Sequence, residues 1–377
     1  MLDLRPQKIE RTPEEMLKHL KKFNLKPRFS IGIWYFFPTG GRFHDSYINK
    51  GSVEDCVNKI RDIYEAGVVD SSVGVEAHYP NEVNWDNLHI YKELQKDTGI
   101  RLITCIPMLF FDRQFEFGSL SNPDLSVRKI ALDRLKDSLR LNKELETDFC
   151  VVWPGIDGYE NPFGHDFYGM WRLFEEGLAE AMDEIPGMRI ALEPKPYEPR
   201  GNNIYRNTAN ALLMARNVEA RLQHRENIRI LNEGHALLCL NPEVGHILMG
   251  HEDLAGAFAS VLREGRLTHS HWNSQPLGNF DQDLNIGVIG IEQMIATLLV
   301  FKMYSYQGFF GIDINPERMP VERAITLNIN ALNSGAKIVN KLDYEQLVKA
   351  MSDPASNRGV NEDILIRAWA PKNVKLY

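Results

Sequence analysis

The stretch MRIALEPKPYEPRG, residues 188–201, decides how this chain is read. It opens almost wholly apolar, as a strand covered on both faces would, and then breaks at Glu193-Pro194-Lys195. The same figure returns three times downstream. ALLCLNPEVGH (236–246) ends on Glu243 and His246, LTHSHWNSQPLGNFDQDLNIG (267–287) carries His271, Asp281 and Asp283, and GFFGIDINPE (308–317) carries Asp313. Carboxylates and imidazoles are the ligands that hard and borderline divalent ions prefer. Seven such groups suffice for two ions sharing a bridging carboxylate, an arrangement found at reaction sites more often than at structural staples.

Outward from these four segments the pattern repeats. Apolar, β-rich runs also occur at 28–36 (RFSIGIWYF), 71–79 (SSVGVEAHY), 101–109 (RLITCIPML) and 148–154 (DFCVVWP). Between the runs lie amphipathic segments such as SVEDCVNKIRDIYEAG, NLHIYKELQKDTG, DLSVRKIALDRLKDSLRLNKEL and GMWRLFEEGLAEAMDEI. Several open on a capping residue (Ser52, Asp124) or close on glycine (Gly67, Gly99). Eight strands alternating with helices predict an α/β protein, a (β/α)8 TIM barrel. An open doubly wound sheet is disfavoured because no GxGxxG turn follows a first strand and no P-loop occurs. The barrel with its N-terminal helical lead-in is expected over 1–335. A short extension is expected over 336–377, with one helix (YEQLVKAMS) and a polar tail, as an oligomer contact.

Composition narrows the function classes. The formal net charge of −8 argues against a nucleic-acid partner, which would need clustered positive charge. The N-terminal segment has no apolar run with a small-residue cleavage site, and no stretch reaches the roughly 18 apolar residues that span a bilayer. Four cysteines, Cys56, Cys105, Cys150 and Cys239, stand singly and without a CxxC pair. Buried free thiols, a cytoplasmic location and no membrane partner are expected.

A barrel gathers its C-terminal strand ends on one face. Glu193, Glu243, His271 and Asp313 come from strands five to eight and are expected to encircle one ion. His246, Asp281 and Asp283 lie in loops further out and suit a second ion, with Glu243 bridging. The Asp281-Gln282-Asp283 spacing would put both carboxylates on one side of an extended segment. Lys195, two residues after Glu193, would point into the same cup and donate a hydrogen bond to a substrate oxygen gaining negative charge.

EPKPYEPRG, NPEVGH and the DQDL segment resemble the motifs of the xylose (glucose) isomerase family at strands five, six and seven. The similarity extends more weakly over about 28–335, through His78 in VEAHYP, Phe110 in PMLFFD, SNPDLSVRKIAL and Trp153 in VVWPG. The resemblance implies aldose–ketose isomerisation of a monosaccharide with two divalent ions per subunit, manganese, magnesium or cobalt. It implies a hydride shift in which His78, Lys195 and Asp283 take part, His78 in ring opening and Lys195 on the oxygen of C1. Trp153 and Phe110 would form apolar walls. Phe43, in GGRFHD, resembles a loop aromatic that enters a partner's site, which implies a homodimer or homotetramer.

Three departures separate this sequence from that family. His271 replaces a carboxylate, as in L-rhamnose isomerases and ketose 3-epimerases, which shifts metal preference toward manganese, cobalt or zinc. Tyr79-Pro80-Asn81-Glu82 replaces an acidic run after His78, leaving that histidine without its acidic partner unless Asn81 or Glu82 substitutes. Asn315 stands where a lysine is expected after Asp313. The alternatives are a ketose 3-epimerase or other proton-transfer isomerase using two carboxylates such as Glu193 and Asp313, a metal-dependent nuclease, and a non-enzymatic sugar-binding protein.

Overall fold

The computed structural model describes residues 5, 11–37, 51–316, 319–371, 374 and 375. Each of the eight apolar runs holds a strand: Arg28–Gly32, Gly74–Tyr79, Arg101–Pro107, Cys150–Val152, Ile190–Leu192, Leu238–Leu240, His271–Trp272 and Phe309–Ile312. In chain order they are the first to eighth barrel strands. The first pairs in parallel with the second and the eighth, the second with the third, and the seventh with the eighth. The fourth, fifth and sixth form a parallel set of their own. Two seams close the circle. The sixth and seventh strands meet through the bridges Leu240–Leu267 and Glu243–His271. At the other seam the Asp148 N–H donates to Ile103 O at 3.2 Å and the Val151 N–H to Thr104 Oγ1 at 2.9 Å. An all-parallel closed sheet with helices outside is the expected TIM barrel.

The capping residues read from the sequence mark the helix ends they were expected to mark. Ser52 and Asp55 form a reciprocal capping box for Val53–Glu65, and Asp124 caps Leu125–Glu144 by accepting from the Ser126 N–H. Gly99 closes Leu88–Thr98 at φ 80°, and Gly67 follows Val53–Glu65 at φ 71°, in the left-handed region where a glycine costs nothing. The GMWRLFEEG segment starts two residues earlier than its apolar pattern suggests, as helix Phe167–Glu184, because Asp166 accepts from the Gly169 N–H.

Alternation along the strands sorts side chains between lumen and helices. Ile103, Ile106, Phe149, Val151, Ala191 and Phe309 form an apolar plug with Trp34 packed against it. Two residues further along their own strands, Ala191 leads to Glu193, Val151 to Trp153 and Phe309 through Gly311 to Asp313. The period of two therefore carries the lumen from an apolar plug to a polar mouth. Outside, the main core runs between sheet and helices and holds Cys56, Cys105 and Cys150; all four cysteines are buried and free.

The N-terminal helix Pro13–Lys22 and the C-terminal helices Tyr344–Ser352 and Val360–Trp369 share a smaller core of Leu20, Tyr344, Leu347, Val348 and Ile364. Each such aliphatic side chain contributes about 1.5–3 kcal/mol on burial. Two expectations need correction here. The polar tail contains a second helix, Val360–Trp369, which anchors mainly through buried Ile364. The helix Val321–Val339 also runs across position 336, because Leu332, Ala336 and Val339 continue one buried stripe. Among the described residues no helix is long and apolar enough to cross a membrane.

Candidate metal centre

The four carboxyl ends chosen from sequence converge. Ligand atoms of Glu193, Glu243, His271 and Asp313 lie within 4.8 Å of one another, and so do those of Glu243, His246 and Asp281. Glu243 belongs to both groups. Local structure explains why. Glu243 occupies the N-cap position of the short helix Val244–Met249, yet its side chain makes no capping bond and turns into the lumen. His246 lies one helical turn on, so its ring comes back beside the same carboxylate, Nε2 being 3.2 Å from Glu243 Oε2.

The inner group centres on the His271 ring, whose Nδ1 is 3.0 Å from Glu193 Oε2 and 3.1 Å from Asp313 Oδ2. Asn241 Nδ2 donates to Glu193 Oε2 at 2.7 Å, and Trp34 Nε1 to Asp313 Oδ1 at 3.2 Å. In the outer group His246 Nε2 sits 3.0 Å from Asp281 Oδ2, and Lys195 Nζ donates to the same oxygen at 2.8 Å. Glu198 also reaches Lys195, at 3.5 Å, and the ammonium lies 5.4 Å from the Trp153 ring centroid.

Asp283 is placed differently from expectation. Its φ of 44° is left-handed, so Asp281-Gln282-Asp283 is not an extended segment, and the two carboxylates take different partners. Asp281 joins the outer group, whereas Asp283 Oδ1 accepts from Asn273 Nδ2 at 2.9 Å and belongs to neither group. Asn273 Nδ2 also donates to Glu243 Oε1, at 2.8 Å, so one amide ties Asp283 to the shared carboxylate.

The electrostatics are those of a cation site. Burial first, and then Asp281, Asp283, Asp313 and Glu193, push the Glu243 carboxyl well above its usual range. Burial, Asp281 and Asp313 do the same to Asp283. Burial disfavours the charged His271 ring, but Glu193, Glu76 and Asp313 outweigh it and raise its proton affinity well above normal. Burial would raise Asp281 too, yet His246 and Lys195 hold it low. Five carboxylates thus face one ammonium, a surplus that a divalent ion among them would relieve. His271 Nδ1 and Asp281 Oδ1 are buried and make no hydrogen bond, leaving them free as donors to an ion. The residues fit a divalent metal.

The other half of the mouth is aromatic. The His78 ring lies 4.8 Å from the Trp34 centroid and meets Phe110 edge-on at 5.8 Å; Phe110 meets Trp153 edge-on at 4.7 Å. Glu82 supplies the acidic partner that the sequence left open. Its Oε2 is 3.0 Å from His78 Nδ1 and accepts the His78 backbone N–H at 2.7 Å. Burial disfavours the charged ring, but Glu82 more than offsets it, so His78 holds its proton more tightly than an ordinary histidine. Phe43 lies outside the described residues.

Sequence reading missed Trp34, Asn241, Asn273 and a third buried group, Glu76 with His269 and His271. Two signals pointed to that group. A glutamate stands mid-run in SSVGVEAHY, and the His269-Ser270-His271 spacing puts two rings on one strand face.

Residues 74–334 match the family described as xylose isomerase-like TIM barrel. The chain is similar to xylose isomerase of Thermus thermophilus, with 28% identity over 305 residues covering 79% of this chain and 75% of that one. It is 29% identical to xylose isomerase of Thermus caldophilus over 239 residues, 62% of this chain and 58% of the relative. Among solved structures, L-ribulose 3-epimerase superposes with a TM-score of 0.59 at 11% identity, covering 88% of this chain and 99% of the other. The 3-keto-D-glucoside 4-epimerase of E. coli gives 0.56 at 14% identity, covering 83% of this chain and all (100%) of that one. Those two likenesses concern the fold alone. A ligand-bearing mouth on a closed parallel barrel, matched over most of its length, places the chain in the xylose isomerase-like TIM barrel family.

Proposed function

We propose that this protein interconverts an aldose and its ketose by hydride shift, with two divalent ions per subunit. The observation that carries this reading is the pair of ligand groups sharing Glu243. Glu193, Glu243, His271 and Asp313 would hold one ion, and Glu243, His246 and Asp281 the other, with Asp283 beside them. Bound there, manganese, magnesium or cobalt would polarise the sugar oxygens and stabilise the alkoxide-like charge that develops as hydrogen migrates.

The chain's own residues supply the rest. Phe110, Trp153 and Trp34 give the sugar carbons an apolar wall and exclude water from one side of the mouth. His78, whose proton affinity Glu82 raises, donates to a ring or hydroxyl oxygen and assists ring opening. Lys195 donates to the oxygen on C1, whose negative charge grows as hydrogen and its electron pair move from C2 to C1. A proton passes from O2 to O1 in the same reaction, and Asp283, tied through Asn273 to the shared Glu243, would be the carboxylate placed to assist that transfer. The substrate in this reading is a free monosaccharide. The C-terminal segment from 336, whose helices stack on the N-terminal helix, would face another subunit in a homodimer or homotetramer.

One observation favours a second reading. With His271 the inner group is three carboxylates and one imidazole, and that histidine resembles the one in L-rhamnose isomerases and ketose 3-epimerases. An epimerase would use two carboxylates to remove and return a proton and leaves the Glu243–His246–Asp281 group without evident work. A C2-deuterated aldose separates the two. Hydride shift keeps the label in the product, and loss of deuterium to water sinks it in favour of proton transfer.

A further inference from the structure

Deep in the lumen, Glu76 on the second strand is buried together with His271, which opens the seventh, and His269 just before it. Its Oε1 accepts from Ser30 Oγ at 2.6 Å and from His269 Nε2 at 2.9 Å, and its Oε2 lies 3.0 Å from His271 Nε2. Ser30 Oγ–H donates to this carboxyl and both of its oxygens face imidazole Nε2 atoms, so it stands as the acceptor toward both rings. Nε2 of His271 must then carry a hydrogen, and Nδ1 is the nitrogen left to face Glu193 and Asp313. The group could be read as a further ion site. Both imidazoles already hydrogen-bond the carboxylate, however, and Ser30 occupies it from a third side, whereas His271 Nδ1 on the inner group makes no hydrogen bond.

We propose that Glu76 is the positioning residue for the histidine ligand: it fixes the tautomer and ring orientation of His271 so that Nδ1 points into the inner group, and returns from one layer deeper the negative charge that a histidine at this position lacks. The inference rests on the metal reading above and deepens it. Outer carboxylates commonly orient ligating imidazoles and raise their basicity. Here the barrel wall is shaped for it. A Cβ on Gly311 of the eighth strand would lie 2.7 Å from His271 Cδ2, 2.9 Å from His269 Nε2 and 3.0 Å from Glu76 Oε1, so only glycine leaves room for the three side chains to meet. Ser30, Glu76, His269, His271 and Gly311 come from four strands and occupy one layer, which makes an accidental contact an unsatisfying account.

The test is Glu76→Gln. Two donors already occupy Oε1, so the amide oxygen stays there and its NH2 falls on His271 Nε2. That forces the hydrogen to Nδ1 and spoils the ligand. Manganese titrations of the purified protein, followed by calorimetry, should show one of two binding steps weakened by about 10–100-fold and the other changed by less than about threefold. A cobalt-loaded sample should change its visible absorption, which reports the ligand field without any assay of turnover. His271→Asp supplies the control. In that background no imidazole needs orienting and Glu76 opposes a neighbouring carboxylate, so adding Glu76→Gln should leave manganese affinity unchanged or tighten it. Wild-type affinity in Glu76→Gln overturns the proposal, as does an equal loss in both backgrounds, which would mean a role not exerted through His271. If Glu76→Gln does not fold, the Glu76→Gln/His271→Asp pair against His271→Asp alone still decides the sign. A wild-type protein that takes up no manganese sinks the metal reading itself, a result distinct from any of these.

Discussion

The two halves of the barrel do different work. Strands one to four bring Trp34, His78, Phe110 and Trp153 to the mouth, an aromatic wall with one histidine backed by Glu82. Strands five to eight bring Glu193, Lys195, Glu243, His271 and Asp313, with His246 and Asp281 from the loops, a crowded set of charges. The division follows from physics. Sugar carbons need an apolar surface, while ligands for an ion must sit within bonding distance of each other, which adjacent strand ends allow. Glu76 is the exception, a first-half residue that acts on the second half. Trp34 makes a weaker crossing through Asp313.

Substitutions should respect this division, and the largest effect belongs to the shared ligand. Glu243→Gln should abolish tight binding of both ions and lower turnover by about a thousandfold or more, on the order of 4 kcal/mol of transition-state stabilisation. Calorimetric stoichiometry with manganese checks it; full activity would remove the bridging assignment. Lys195→Ala should lower kcat by at least about tenfold with a smaller change in KM, because its hydrogen bond strengthens as charge develops. A purely structural Lys195, neutralising Asp281, would instead show as altered metal affinity.

Metal affinity itself should depend on pH, by up to about tenfold per unit for each proton displaced. The sign follows from the shifts. Glu243, Asp283 and His271 all have raised proton affinity, so protons compete with the ion and affinity falls as pH is lowered. Calorimetry in buffers of different ionisation enthalpy counts the protons released, and a count of zero contradicts the prediction. The smallest effects belong to the aromatic half. Phe110→Ala or Trp153→Ala should raise KM by about five- to tenfold, in keeping with roughly 1 kcal/mol for a lost ring contact. Manganese affinity should not move. A change in metal binding on removing Trp153 would blur the comparison, through the ammonium of Lys195 that lies over that ring.

Much of this was legible in the chain. Seven of the eight strands fall inside largely apolar runs, because a strand covered on both faces is mostly apolar, whereas the seventh lies in the polar stretch THSHW. Six of the seven chosen ligands converge in the two groups, because polar residues that interrupt such runs at strand ends have one common face to reach. Asp283 escaped this reading, since a left-handed residue turns its side chain away from the alternation that spacing implies. The helix Val360–Trp369 escaped it too, since it buries only Ile364 and its pattern is that of a solvated segment.

Sequence by itself determined the order of strands, the helix caps and the candidate metal-ligand residue types, because these depend on local pattern and on ligand chemistry. Only the tertiary structure decided the pairings. It chose Glu82 over Asn81 as the partner of His78, split Asp281 from Asp283, and set Glu76 against a histidine 195 residues away in the chain. Those choices follow from barrel closure, which brings the second, seventh and eighth strands together around a glycine, a relation that no spacing along the chain encodes.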